Sequence, residues 1–168
     1  MSRDMSDLLL TYMEMTAPPQ GKQLHAPINS AVIRRVILSH TDYVALYRAV
    51  GSPWQWDDRL TMLADTLQSL LQNPTTHLYL LLLNDEPLGL CEFVEVGKSD
   101  VELTNFGLIP QAQGRRLGPF LLDYSLRLIW METTRRVWLH TDTNDHPAAQ
   151  KVYQRAGFRV YAERWESL

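Results

Sequence analysis

The 168 residues predict a mixed α/β fold (α+β in organisation), with one largely antiparallel sheet of about 6–7 strands and helices on both faces. Three observations predict it. Strand-like and helix-like periods alternate in the order strand, two helices, three strands, helix, strand, helix, strand. The runs "HLYLLLL" and "LGLCEFV" are apolar almost throughout, as well-buried strands are. And "LIPQAQGRRLGPFLLDY", Leu108 to Tyr124, runs from a strand end through a turn holding Gly114 and Gly118 into an amphipathic helix, which is how chains cradle phosphates.

The elements follow in order. "LLLTYMEM" reads as a short strand or a helical turn, and the proline-rich "TAPPQGKQLHAP" after it is loop. That loop divides an N-terminal strand and loop extension, 1–30, from a domain over 31–168. "AVIRRVIL" from Ala31 alternates and is β-branched enough for a strand. "SHTDYVALYRAVG" is a helix capped by Ser39 or Thr41 and closed by Gly51. Leu60, Leu63, Leu67, Leu70 and Leu71 recur at helical spacing, so a second helix is expected over Asp57 to Gln72. "THLYLLLL" and "LGLCEFVEV" form a hairpin about a turn at "NDEP", and the first suits a central strand. "VELTNFGLIP" is a third strand, where "NFGLIP" suggests a bulge and Gly107 a close backbone approach. A helix from Pro119 to Met131 and the strand "RRVWLHTDT" follow. "NDHPAAQKVYQRAG" is a short helix with Asp145 as N-cap, Pro147 in its first turn and Gly157 at its C-terminus. "FRVYAERW" is the closing strand.

Sixteen basic against nineteen acidic residues, a formal charge of -3, lack the electrostatic footprint of a nucleic-acid binder and suit a cationic partner. The lone Cys91 sits in an apolar run and reads as core. No stretch reaches the roughly eighteen apolar residues of a membrane span, and "MSRDMSDLLL" lacks a signal-peptide pattern, so a cytoplasmic protein without a membrane partner is expected. His140, Asp142 and His146 match no metal-ligand spacing, and no metal is expected. The N-terminal "LLLTYMEM" could pair at a sheet edge or with a second subunit, which leaves monomer and homodimer open.

The element order, the strand-turn-helix of Leu108 to Tyr124 and the terminal "HPAAQKVYQRAGF" together resemble the GNAT superfamily of acyl-CoA-dependent N-acyltransferases, over about Ala31 to Leu168. The resemblance implies a sheet split between the strand ending at Pro110 and the strand 136–142. It implies acetyl-CoA as co-substrate, held by Leu108, Ile109 and the loop Gln113, Gly114, Arg115, Arg116, Leu117 and Gly118. The acceptor would be an amine, on a small molecule or on a protein lysine or N-terminus. The family loop reads Gln or Arg, two free positions, Gly, one free position, Gly or Ala, so Arg116 stands where glycine is usual. A positive φ there would cost an arginine about 1–2 kcal/mol. Right-handed φ/ψ is expected instead, with the Arg116 side chain, and Arg115 beside it, either contacting a phosphate or extending into solvent. His146 stands where the family commonly has asparagine, and Asn144 is the candidate substitute.

Acyl transfer to an amine needs the neutral nucleophile. An amine of pKa about 10.4 is only about 0.04% deprotonated at pH 7, a deficit near 4.6 kcal/mol. By resemblance, Glu102 is the candidate base and Tyr153, in the family's Ala-x-x-x-Tyr slot, the acid that protonates the departing thiolate. Glu102 could equally be a solvated strand residue and Tyr153 a packing tyrosine. The amide near Leu108 is the candidate polariser of the thioester carbonyl. Trp54, Trp56 and Asp57 in "GSPWQWDD" suit a cationic acceptor, or else wedge helices together and cap one. A non-catalytic acyl-CoA sensor or scaffold, or a transferase for longer acyl groups, stays open beside the acetyltransferase.

Overall fold

The computed structural model describes residues 7–167. Met1 to Ser6 of the stretch searched for a signal peptide, and Leu168, lie outside the described residues. The strands are β1 (Leu8–Met15), β2 (Ala31–Val36), β3 (His77–Leu83), β4 (Glu86–Val94), β5 (Asp100–Leu108), β6 (Arg136–Asp142) and β7 (Arg159–Glu166). The helices are α1 (His40–Gly51), α2 (Asp58–Thr61), α3 (Ala64–Gln72), α4 (Leu117–Ile129) and α5 (Ala149–Ala156), with 3₁₀ turns at Ser52–Trp54 and Pro110–Ala112. No helix among them is long and apolar enough to cross a membrane.

All seven strands form one sheet in the order β2-β3-β4-β5-β6-β1-β7, antiparallel except for β5 beside β6. The hairpin turns at Asn84 and Asp85, both of positive φ, the handedness a tight turn between right-twisted strands needs. The run "HLYLLLL" divides by alternation. Leu78, Leu80 and Leu82 enter a core under α1 and α3, while Tyr79 and Leu81 enter the core under α4. Each leucine so buried contributes roughly 1.5–3 kcal/mol, and both faces of β3 draw on it.

"LLLTYMEM" is a strand, and it lies inside the sheet: β1 pairs antiparallel with β6 on one side and β7 on the other. Residues set apart in the sequence as a 1–30 extension therefore supply an internal strand. The loop after β1 is held to α4, where Leu24 donates its N–H to Asp123 Oδ2 at 3.0 Å and Arg127 Nη2 donates to the Gly21 carbonyl at 3.2 Å.

The helix expected over Asp57 to Gln72 is broken. Met62 and Leu63 are extended, with ψ near 140°, and separate α2 from α3. Leu60 and Leu63, which suggested continuity, are exposed. Leu67 and Leu71 dock α3 on the core, while Arg59 holds α2 to Glu92 on β4, and the two anchors lie on segments that one straight helix does not supply. Ser39, by contrast, caps α1 by accepting from the Asp42 N–H at 3.2 Å.

β5 and β6 pair only over Asp100–Glu102 with Arg136–Trp138. Beyond that point the two strands diverge, and the sheet is split where the sequence places the split.

Candidate functional site

The loop after β5 forms one wall. Ile109 donates its N–H to the Leu88 carbonyl at 2.8 Å, so antiparallel alternation turns the Leu108 N–H away from β4 and into the split. Gly114 and Arg116 then take positive φ, 78° and 61°, and Arg115 between them does not. This alternation of hand is the geometry of an anion nest. Arg116 is therefore left-handed, contrary to the right-handed expectation. It is the N-cap of α4, and the change of hand there lets α4 begin at once with Leu117, buried a few residues after the buried Ala112. The usual glycine has been replaced without changing the backbone state that favours glycine, at about 1–2 kcal/mol.

Among the described residues, no N–H from Gly114 to Gly118 donates to an acceptor in the protein, and no side chain caps α4. These donors stand at the positive end of a 13-residue helix. The residues that carry them, Arg115 apart, line a cavity of about 190 Å³ with Leu108, Phe106, Trp54, Trp56, His146 and Tyr153. Gln113, Gly114, Arg116, Leu117 and Gly118 line it as well; Ile109, Arg115 and Asn144 do not. Ile109 instead faces the α1 side. Asn144 donates its backbone N–H to Asp142 Oδ1 at 2.8 Å, and its side chain reaches Gln55.

A second, polar cavity of about 100 Å³ opens where β5 and β6 diverge, lined by Asp57, Asp58, Thr104, Asn105, His140 and Asp142 among others. The two cavities share Trp56, Phe106, Asp145 and Tyr153. Of the three acceptor candidates, Trp54 lines only the first cavity, Asp57 only the second, and Trp56 both. Burial raises the Asp142 carboxyl above its ordinary value, opposed by the Asn144 N–H.

Tyr153 is presented by α5 between Phe106 and Phe158, with ring centroids 5.8 Å away on each side. Burial, and then the Asp145 carboxylate, hold its phenol well above the usual tyrosine range. Its hydroxyl bonds to no other described residue. Glu102 lies between Val101 and Leu103, which are buried on the α4 side, so it faces the α1 side. Burial raises its carboxyl above the ordinary value, opposed by His140 and Arg59. It lines neither cavity.

The bulge expected in "NFGLIP" lies one residue earlier, at Thr104, where the β4–β5 register shifts. Gly107 is regularly paired with Leu90; its missing Cβ instead makes room for helix-side atoms, Val50 Cγ1 at 2.7 Å and Trp56 Cη2 at 3.3 Å. Thr104 and Asn105 both face Glu92 and donate to its carboxylate. Tyr43 Oη and Arg59 Nη2 donate to the same fully buried group. Burial alone would lower the Arg59 guanidinium, but Glu92 outweighs it and holds it above its usual range. The signal for this network was a lone glutamate inside "LGLCEFV".

Asp145 does not cap α5. Its carboxylate accepts from Trp56 Nε1 at 3.1 Å and from the Thr141 hydroxyl. His146 stands at the helix entrance instead: Nδ1 accepts from the Ala148 N–H at 2.9 Å, which leaves the proton on Nε2 to be donated to Gln113 Oε1, also at 2.9 Å. Trp54 packs on the His146 ring with centroids 4.9 Å apart.

The split mixed sheet, with free amides at the head of α4 beside the buried Tyr153, belongs to a chain whose sequence and fold resemble those of known acetyltransferases. The acetyltransferase (GNAT) family model matches residues 43–158. A Bacillus subtilis (strain 168) protein provisionally named as a ribosomal protein bS18-alanine N-acetyltransferase is 30% identical over 132 residues, 77% of this chain and 81% of that one. A GCN5-related N-acetyltransferase from Sphaerobacter thermophilus superposes with a TM-score of 0.70 at 20% identity, over 95% of this chain and 51% of that one. An aminoglycoside acetyltransferase from an uncultured soil metagenomic sample, in complex with sisomicin, gives 0.58 at 16% identity, over 76% and 88%. The chain spans about half to two thirds of the first solved structures it matches. It belongs to the GNAT acetyltransferase family.

Proposed function

We propose that this chain moves an acetyl group from acetyl-CoA to a primary amine by direct attack in a ternary complex. The observation that carries the reading is the meeting of the amide-lined cavity and the polar cavity at Trp56, Phe106, Asp145 and Tyr153. The amides of Gly114 to Gly118 hold the diphosphate, so that the pantetheine arm runs into the split and its thioester carbonyl accepts from the Leu108 N–H.

The amine arrives through the polar cavity, where Asp57, Asp58 and Asp142 favour its ammonium form in binding. Glu102, whose carboxyl burial raises above its ordinary value, takes the ammonium proton, through the intervening polar groups or a water. The neutral nitrogen attacks the carbonyl carbon, the C–S bond breaks as Tyr153 gives its proton to the departing sulfur, and the second proton lost by the nitrogen on forming the amide restores the phenol, directly or through a water. Approximation of the two substrates supplies several kcal/mol by itself.

The test is a screen of amines and lysine or N-terminal peptides for acceptor-dependent thiol release, together with calorimetric titration of acetyl-CoA. Release with at least one amine is expected. Binding of acetyl-CoA without release in the presence of any acceptor would favour a sensor, and no binding would remove the donor assignment.

A further inference from the structure

We infer that Trp56 is the residue that limits the length of the acyl group, a reading that rests on the acyl-CoA donor proposed above. The indole lies across the open end of the split. It leaves the chain after the 3₁₀ turn Ser52–Trp54 and folds back on the end of α1, where Gly51 has no Cβ and the indole occupies that space: a Cβ there would stand 2.5 Å from Trp56 Cβ and 2.6 Å from Cδ2. Its far edge reaches β5, where Gly107 likewise has no Cβ, and its Nε1 is tied to Asp145 Oδ1 at 3.1 Å on the loop beyond β6. Tyr47 packs against the ring with centroids 5.5 Å apart. The side chain is thus fixed at both ends and on one face, by contacts from α1, from β5 and from the loop after β6.

Its position decides what it limits. The Leu108 N–H, the proposed carbonyl site, adjoins Gly107 on β5, and Gly107 is where the indole edge rests. Phosphates bind on the α4 side, so a pantetheine arm enters the split from that side and any acyl carbon beyond the carbonyl is directed toward the α1 side. There the indole stands between the two cavities and lines both. A methyl group fits short of such a wall. Longer chains meet an aromatic ring that its hydrogen bond and two flanking glycines prevent from turning aside.

The experiment measures binding of coenzyme A and of acetyl-, propionyl-, butyryl- and hexanoyl-CoA to the wild-type chain, and then turnover with each donor. Butyryl-CoA is expected to bind roughly tenfold or more weakly than acetyl-CoA, since a methylene without space is discriminated by about tenfold or more. In Trp56→Ala the gap should fall to about threefold or less. Trp56→Phe, which keeps a ring but loses the tie to Asp145, should fall between them, and it serves if the alanine variant does not fold. Affinity indifferent to chain length in the wild type, or a gap unchanged in both variants, overturns the inference while leaving the transferase reading in place. Failure of coenzyme A itself to bind removes both.

Discussion

His146 Nε2 and Gln113 Oε1 meet at 2.9 Å and join the loop after β5 to the loop after β6 across the split. The bond links two walls that share no backbone pairing at that level, since β5 and β6 pair only near Asp100–Glu102. His146→Ala should raise the KM for the donor about fivefold through loss of about 1 kcal/mol, with kcat little changed. His146→Asn should recover part of it, because a short amide can still accept from the Ala148 N–H. Steady-state kinetics with both variants decide this, and an unchanged KM in the alanine variant would contradict it.

Arg116→Gly separates backbone from side chain. Relief of the left-handed arginine, offset in part by the greater freedom of glycine in the unfolded chain, should stabilise the protein by about 1 kcal/mol, or about 2–4 °C in Tm. The same change should weaken coenzyme A binding several-fold if the guanidinium contacts a phosphate. Thermal melts with and without coenzyme A read both effects, and a destabilised variant would show that the positive φ at 61° carries no strain.

Tyr153→Phe should lower kcat about a hundredfold while leaving donor affinity within about twofold. Because burial keeps the phenol well above its ordinary value, ionisation of Tyr153 should cause no loss of activity up to about pH 10. An acidic limb in the kcat/KM profile should instead follow Glu102, whose carboxyl is raised by burial, and should disappear in Glu102→Gln. Wild-type turnover by the phenylalanine variant would remove the acid from the scheme.

Glu92→Gln leaves Arg59 buried without its counter-charge, and the pair is 11% and 0% exposed in its side chains. Loss of one partner from such a pair costs about 3–5 kcal/mol. Adding Arg59→Met should restore about half of that, the rest remaining lost with the bonds from Tyr43, Thr104 and Asn105. Urea denaturation of the single and double variants measures the difference; additive losses would mean that the two side chains do not stabilise each other.

His77 gives a pH dependence with a defined sign. Burial, and then the Arg35 guanidinium, lower its pKa from 6.5 to about 4. Between those values the unfolded chain takes up a proton that the folded chain refuses. Stability is therefore full above about pH 6.5 and falls as the pH drops toward 4, by at most about 3 kcal/mol. His77→Gln should flatten the denaturation midpoint between pH 7 and 5 relative to wild type, and parallel profiles for the two proteins would exclude His77 as the source.

What could be read from the residues, and what could not, divides along physical lines. Local patterns sufficed to narrow the cap of α1 to Ser39 or Thr41, and for the Asn84-Asp85 turn and the strand-turn-helix from Leu108, because each depends on neighbours a few positions away. Pairing of strands far apart in the chain did not follow from such patterns: nothing in "LLLTYMEM" says that its partners begin at Arg136 and Arg159. Leucine spacing over Asp57 to Gln72 was misleading because two of the five leucines, Leu60 and Leu63, meet no core. The hand of Arg116 was lost because sterics favour one answer and the demands of the loop another. Asp145 looked like a cap since caps are common, yet its partner, Trp56, is 89 positions away.

The slot taken by β1 has a consequence for how the chain is made. β1 leaves the ribosome more than a hundred residues before β6 and β7, so this half of the sheet closes only after the four strands between them in sequence have been made. Contacts so remote in sequence slow the search and leave Met13 and Met15 open to solvent until late. Removing β1 to simplify production would also deprive β7 of its one neighbour among the described strands.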